Sequence, residues 1–269
     1  MKTFKNGLCF ALSIVFIAHC APPTEQKAEA VKEIETTGGI TLSKAPASPT
    51  YSDASLSLLN YSSTAFDEGL IADMKFTVSN YELGVQTEGA ATRGIANSGK
   101  GQHIHLILNN GPYSAHYEPN ASKPLQEGNY VALAFLSRSY HESVKNENSY
   151  WVDVIKVGEP LEDLVVDFTA PHLFYSRPKG TYIGADTEKL MIDFFLLNTT
   201  LSADGNKVRA TINDAVFLID EWAPFYVEGL PLGEVNVKLE LIDANGDIIP
   251  GPFNSVERQV RLESSTENQ

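Results

Sequence analysis

Ten residues, Gly101 to Asn110, return in outline about a hundred positions later. Gly101-Gln102-His103-Ile104-His105-Leu106-Ile107-Leu108-Asn109-Asn110 runs in step with Gly205-Asn206-Lys207-Val208-Arg209-Ala210-Thr211-Ile212-Asn213-Asp214. Both copies alternate with the two-residue period of a β-strand and end in turn formers. A second pair keeps the same spacing: Pro124-Leu125-Gln126-Glu127-Gly128-Asn129-Tyr130-Val131 with Leu230-Pro231-Leu232-Gly233-Glu234-Val235-Asn236-Val237. Phe76-Thr77-Val78-Ser79-Asn80 matches Phe195-Leu196-Leu197-Asn198 more loosely. The repeat predicts two similar domains, 52–157 and 160–262, joined near Gly158-Glu159-Pro160. Short alternating runs with turns between them, and no long helical period, make each an all-β sandwich. Residues 263–269 are expected to be a disordered tail.

The first twenty residues read as a signal for export. Lys2 and Lys5 precede an apolar run from Leu8 to Ala18, which is too short for a stable membrane span. The run ends in Ile17-Ala18-His19-Cys20. This resembles a bacterial lipoprotein signal, with Cys20 as the lipidation point, although His19 replaces the usual small residue. The resemblance implies a lipid-anchored protein of the cell envelope, on the outer membrane of a Gram-negative bacterium. Residues 21–51 show no lasting apolar period, are broken by Gly38-Gly39, Pro46 and Pro49, and read as a flexible tether.

Cys9 and Cys20 are the only cysteines, so a mature chain beginning at Cys20 has no internal disulfide, Cys-ligated zinc or thiol nucleophile. The formal net charge is −14 and no basic patch is present, which argues against a nucleic-acid partner.

The repeat also assigns faces. In the second copy Val208, Ala210 and Ile212 share one side, and Lys207, Arg209 and Thr211 the other, which must face solvent. By transfer, Ile104, Leu106 and Leu108 point into the first domain's core, and His103, His105 and Ile107 point outward. On the later strand Tyr130, Ala132, Ala134 and Leu136 face in, and Val131, Leu133 and Phe135 face out. If that strand continues in parity, Ser137, Ser139 and His141 join them. An apolar outer face of this kind marks a contact surface.

His103 and His105, two apart on a strand, can converge on one ion, and neutral imidazole suits copper or zinc. His141 and His116 are candidates to complete the site, with Glu118 or Glu142 as an oxygen donor. A plainer reading has these histidines hydrogen-bonded within a domain interface beside Tyr140 and Trp151. A third has an organic ligand or peptide held by Tyr140, Phe135 and Tyr113. His172, after Pro171, reads as structural. The Asp220-Glu221 pair splits across two faces, and Asp243-Ala244-Asn245-Gly246-Asp247 reads as a hairpin turn, since Asn254 stands where a calcium loop needs Glu. No catalytic constellation is visible, so no enzyme is expected.

Gly101-Gln102-His103-Ile104-His105-Leu106, the Leu125–Gly128 turn and Ser139-Tyr140-His141-Glu142 resemble a group of exported bacterial domains of unknown function. Those carry a Gly-x-His-x-His-Leu strand and a late histidine on an immunoglobulin-like sandwich. Similar lipoproteins are sometimes labelled phosphopeptide-binding. The forkhead-associated pattern behind such a label is not met, since Arg93-Gly94 is reversed and Ser98 lies five before His103. The expectation is a tethered lipoprotein of two tandem immunoglobulin-like domains. It binds a ligand or divalent metal on the first domain's outer face, or acts as an interaction module with that face buried against the second domain or another envelope protein.

Overall fold

The computed structural model describes Met1 and residues 33–66, 69–160 and 162–265. The signal segment, Cys20 and residues 21–32 lie outside these residues, as does 266–269. The described chain is built of strands with two short 3₁₀ turns, and no helix among these residues is long and apolar enough to cross a membrane.

The first sandwich comprises β3 (Ser55–Phe66), β4 (Gly69–Ser79), β5 (His103–Leu108), β6 (Ser114–His116), β7 (Asn120–Leu125), β8 (Gly128–Ser137) and β9 (Tyr150–Val157). Its sheets run β3-β4-β7 and β6-β5-β8-β9. The second contains β10 (His172–Arg177), β11 (Thr181–Ile183), β12 (Lys189–Leu197), β13 (Lys207–Ile212), β14 (Ala215–Ile219), β15 (Phe225–Glu228), β16 (Gly233–Ile242) and β17 (Ser255–Glu263). Its sheets run β10-β12-β15 and β11-β17-β16-β13-β14. In chain order both sandwiches put the first, second and fifth main strands in one sheet and the third, fourth, sixth and seventh in the other. That is immunoglobulin-like topology, given twice.

The internal likeness extends to a backbone device. Asn109 and Asn213 both hold a positive φ, 48° and 51°. Asn109 N donates to Val131 O and Asn109 Oδ1 accepts from Val131 N, each at 2.8 Å. Asn213 makes the same reciprocal pair with Asn236, at 2.8 and 3.0 Å. Asparagine tolerates the left-handed region, and its side chain closes the turn onto the next strand.

Two boundaries differ from the sequence reading. The presumed tether contains β1 (Glu33–Thr37) and β2 (Ile40–Lys44), a hairpin turned on Gly38 and Gly39 at φ 61° and 84°. Gly-Gly between two strands is a hairpin turn as well as a breaker. β2 pairs antiparallel with β15, Leu42 opposite Val227, and so supplies an outer strand of the second sandwich. Ile40 and Leu42 enter that sandwich's core. A five-residue strand is too short to declare an alternating pattern. At the other end, Glu263 belongs to β17 rather than the tail.

The two sandwiches share an apolar core. The outer face of β5 and β8 carries Ile107, Val131, Leu133 and Phe135, all at most 1 % exposed, and it packs against Phe174 of β10 and Phe195 and Leu197 of β12. Phe135 stacks on Phe195 with ring centres 5.0 Å apart. Each such side chain contributes roughly 1.5–3 kcal/mol by leaving water. β12 therefore buries both faces, and its sequence reads as a nearly unbroken apolar run. The exception is Asp193, fully buried, which pairs with Lys145 at 2.5 Å and accepts from Ser143 Oγ at 3.0 Å. The tip of the β5–β6 turn is plugged into the second sandwich. Asn110 Nδ2 donates to Leu173 O and Phe253 O, and Asn110 Oδ1 accepts from Tyr175 N.

Leu42→Ala should lower the unfolding free energy by about 2–5 kcal/mol in urea titration, the cost of a core truncation. A change within about 0.5 kcal/mol, as at a surface site, would mean that β2 is not integral to the sheet. Asn110→Ala leaves two carbonyls and one amide unpaired in a buried seam, and a loss of about 2 kcal/mol or more is expected in the same assay.

Candidate functional site

Gly101 sets the position of the histidine strand. It holds φ 87°, and a Cβ there would lie 2.4 Å from Val85 O, so only glycine fits. Its carbonyl accepts a hydrogen bond from His103 Nδ1 at 2.8 Å. The carbonyl has no proton to give, so His103 carries hydrogen on Nδ1 and, when neutral, a single lone pair on Nε2.

That lone pair points at two more imidazoles. His105 Nε2 lies 2.8 Å away and His141 Nδ1 3.1 Å away. The three nitrogens all fall within 4.8 Å of one another. His103 and His105 are fully buried. Tyr113 stacks on His105, centroids 3.5 Å apart and planes 13° apart, and its hydroxyl lies 3.2 Å from His141 Nδ1. Phe135 closes the other side of His105 edge-on at 5.2 Å. His105 Nδ1 faces Ser176 Oγ of the second sandwich at 3.3 Å.

The environment keeps the rings neutral. Burial lowers His103 to about 4, with the Gly101 hydrogen bond opposing and Arg177 adding to the effect. Burial also pushes His105 and His141 well below the ordinary imidazole value, with neighbouring imidazoles and Arg177 contributing. Among the described residues no carboxylate joins the cluster. Instead the Arg177 guanidinium lies 5.6 Å and the Lys179 ammonium 4.0 Å from the Tyr113 ring centre, and Lys179 is itself lowered to about 8 by burial and then Arg177.

His141 reaches the group by a different route from the one its spacing suggests. β8 ends at Ser137, and 138–142 form a turn closed by Arg138 N to Glu142 O at 2.9 Å. His141 takes φ 71° within it, a left-handed conformation uncommon for a non-glycine residue. Glu142 faces elsewhere and pairs with Arg138 at 3.1 Å.

Two expected members are not in the cluster. His116 stands opposite Ile104 on β6, so strand parity sends its ring to the other face of the sheet. There its Nε2 bonds Ser114 Oγ at 2.8 Å, and burial lowers it to about 4. Tyr140, in the β8 turn, packs with Ala45, Ile95, Met191 and Tyr226, donates to Ser48 Oγ at 2.9 Å and lies under Arg93. The outward face is not open to solvent, because β10 and β12 cover it. Ser176 and Arg177 come from β10 of that covering sheet and Lys179 from the turn that follows it, and no feature of the first domain's sequence announces them.

No protein-family model matches the chain, and no curated protein matches it. Among solved structures, the fibronectin(III)-like modules of Clostridium thermocellum CbhA match at 12 % identity and TM-score 0.28, covering 34 % of this chain and 97 % of theirs. The central fibronectin-III array of RIM-binding protein matches at 8 % identity and TM-score 0.26, covering 80 % and 71 %. A two-domain fibronectin type-III segment of chicken tenascin matches at 8 % identity and TM-score 0.20, covering 76 % and 98 %.

Proposed function

We propose that the chain is a non-catalytic, envelope-anchored binding protein that holds one copper or zinc ion between His103, His105 and His141. One observation carries this reading. His103 Nε2 has one lone pair, yet two nitrogens face it at 2.8 and 3.1 Å. A neutral acceptor satisfies one donor there, not two, whereas a cation at the common point satisfies all three nitrogens. Three imidazoles around an ion with bonds of about 2.0–2.1 Å sit about 3.3–3.6 Å apart, so on loading the two spacings at His103 open by about half an ångström while the His105–His141 spacing adjusts within the 4.8 Å that bounds the cluster. The left-handed backbone of His141 supports the same reading, since strain of this kind collects at functional sites.

The donor set favours copper in its cuprous state. Three neutral imidazoles bring no negative charge, and Arg177 and Lys179 stand nearby, so a monovalent ion meets less repulsion than a divalent one. Tyr113 and Phe135 serve as walls that hold His105 and exclude water. Export and lipidation at Cys20 supply the anchor.

Metal-depleted full-length protein should take up one equivalent of copper(I), with zinc binding more weakly in competition. The bound form should melt several degrees higher, as mass action requires when only the native state binds. His103→Ala or His105→Ala should abolish both uptake and shift. Retention of the full shift in either variant, or no uptake by the parent, would leave a purely structural hydrogen-bond network as the reading.

The metal-free protein should lose stability as pH falls from about 6.5 to about 4. His103, His105, His116 and His141 have folded pKa values below the unfolded one, so at these groups the unfolded chain binds more protons throughout that window. Stability is full above 6.5 and declines toward the folded value of about 4 at His103 and His116. Denaturant midpoints measured across this range should fall monotonically with acid. Copper should oppose the fall, and a flat profile would contradict the buried, neutral state.

Cys20→Ser should move the protein from the membrane to the soluble envelope fraction on fractionation. A variant that stays membrane-bound would show that Cys20 is not the anchor.

A further inference from the structure

Of the three clustered histidines, His105 is the one whose hydrogen stands on the wrong nitrogen for a metal. The Gly101 carbonyl keeps hydrogen on His103 Nδ1, so His103 Nε2 can only accept. Its contact with His105 Nε2 at 2.8 Å is a hydrogen bond, and the hydrogen in it therefore belongs to His105 Nε2. His141 does not compete for that place. Its Nδ1 lies farther from His103, at 3.1 Å, and has a donor of its own in the Tyr113 hydroxyl at 3.2 Å. His103 Nε2 and His141 Nδ1 thus already present lone pairs, and His105 Nε2 does not.

The other nitrogen of His105 then needs a donor, because a neutral imidazole with hydrogen on Nε2 accepts at Nδ1. The partner of His105 Nδ1 is Ser176 Oγ, 3.3 Å away on β10 of the second sandwich. Both residues are fully buried, so bulk water does not reach the contact. The ring is also held in place. Tyr113 lies flat against it with centroids 3.5 Å apart, and Phe135 stands edge-on at 5.2 Å. His105 therefore frees Nε2 by moving hydrogen between its two nitrogens rather than by turning its ring.

A serine hydroxyl suits both forms with its oxygen fixed. It donates to a bare Nδ1 and accepts from Nδ1–H. The carbonyl that Gly101 offers to His103 serves only the second form. The two neighbouring ligands are thus held differently, His103 in one tautomer and His105 in either.

We propose that Ser176 is a positioning residue of the metal site, and that its hydroxyl reverses from donor to acceptor as His105 changes tautomer to bind the ion. One N–H bond breaks at Nε2 and one forms at Nδ1, so the ring stays neutral and no net proton leaves it. The proposal rests on the reading of the three histidines as a metal site. It adds that the second sandwich, through one hydroxyl, holds a ligand of the first ready to bind.

The test uses the full chain with isotope-labelled histidine, read by long-range proton–nitrogen correlation spectra at neutral pH before and after one equivalent of copper(I). In the metal-free parent, His103 should carry hydrogen on Nδ1 and His105 on Nε2. Copper(I) should move the His105 hydrogen to Nδ1 and leave that of His103 where it is. Ser176→Ala should weaken copper(I) about tenfold to a hundredfold in competition with a chelator, the usual loss when a metal-bound histidine is deprived of its outer partner. Ser176→Thr, which keeps the hydroxyl, should restore the parent affinity. Hydrogen already on His105 Nδ1 in the metal-free parent would overturn the proposal. So would a folded Ser176→Ala that binds copper(I) as tightly as the parent. The tautomer readings come from the parent, so they decide the question even where the variant fails to fold. No copper uptake by the parent would remove the metal reading and this inference together, whereas uptake with the His105 hydrogen unmoved would remove this inference alone.

Discussion

The structure depends on one contact, the burial of the outer face of β5 and β8 against β10 and β12. Five side chains of the first sandwich, Tyr113 among them, and four of the second, Phe253 among them, leave water there together. The polar features of the seam make sense only because of that burial. Asp193 is tolerable because Lys145 and Ser143 meet it, and Asn110 because all three of its side-chain bonds are met across the boundary. In the second sandwich the equivalent face carries Lys207, Arg209 and Thr211 and stays partly solvated. The same scaffold thus serves as a docking surface in one copy and an ordinary outside in the other.

The seam also sets the chemistry of the histidines. An exposed His-x-His pair on a strand would titrate near its ordinary value and exchange with water. Here covering by the second sandwich strips water from His103 and His105 and keeps them unprotonated as lone-pair donors. Gly101 fixes which nitrogen of His103 carries hydrogen. The glycine two before that histidine is needed twice over, for its φ and for the absence of a side chain against Val85.

The sequence announced alternation and repetition, and from these the faces of β5 and β8 follow. It could not announce what covers those faces, because strand parity gives an orientation and not a neighbour. His116 illustrates the limit. Its proximity in sequence suggests a fourth ligand, but its pairing opposite Ile104 turns it away. His141 illustrates the reverse. It arrives through a turn that extrapolated strand parity does not describe. Ser176, Arg177 and Lys179 reach the cluster only through the packing of two domains. The hairpin β1–β2 was hidden for a simpler reason: two five-residue strands joined by Gly-Gly have the composition of a linker.

That hairpin gives the chain an unusual order of assembly. β2 precedes the first sandwich, yet its partner Phe225–Glu228 follows it by some 180 residues. The second sandwich is therefore discontinuous, with the whole first sandwich inserted between two of its paired strands. A chain threaded from its N-terminus presents β2 early and must hold it open until nearly the last strands arrive. Closure of so distant a pair is entropically slow and comes late.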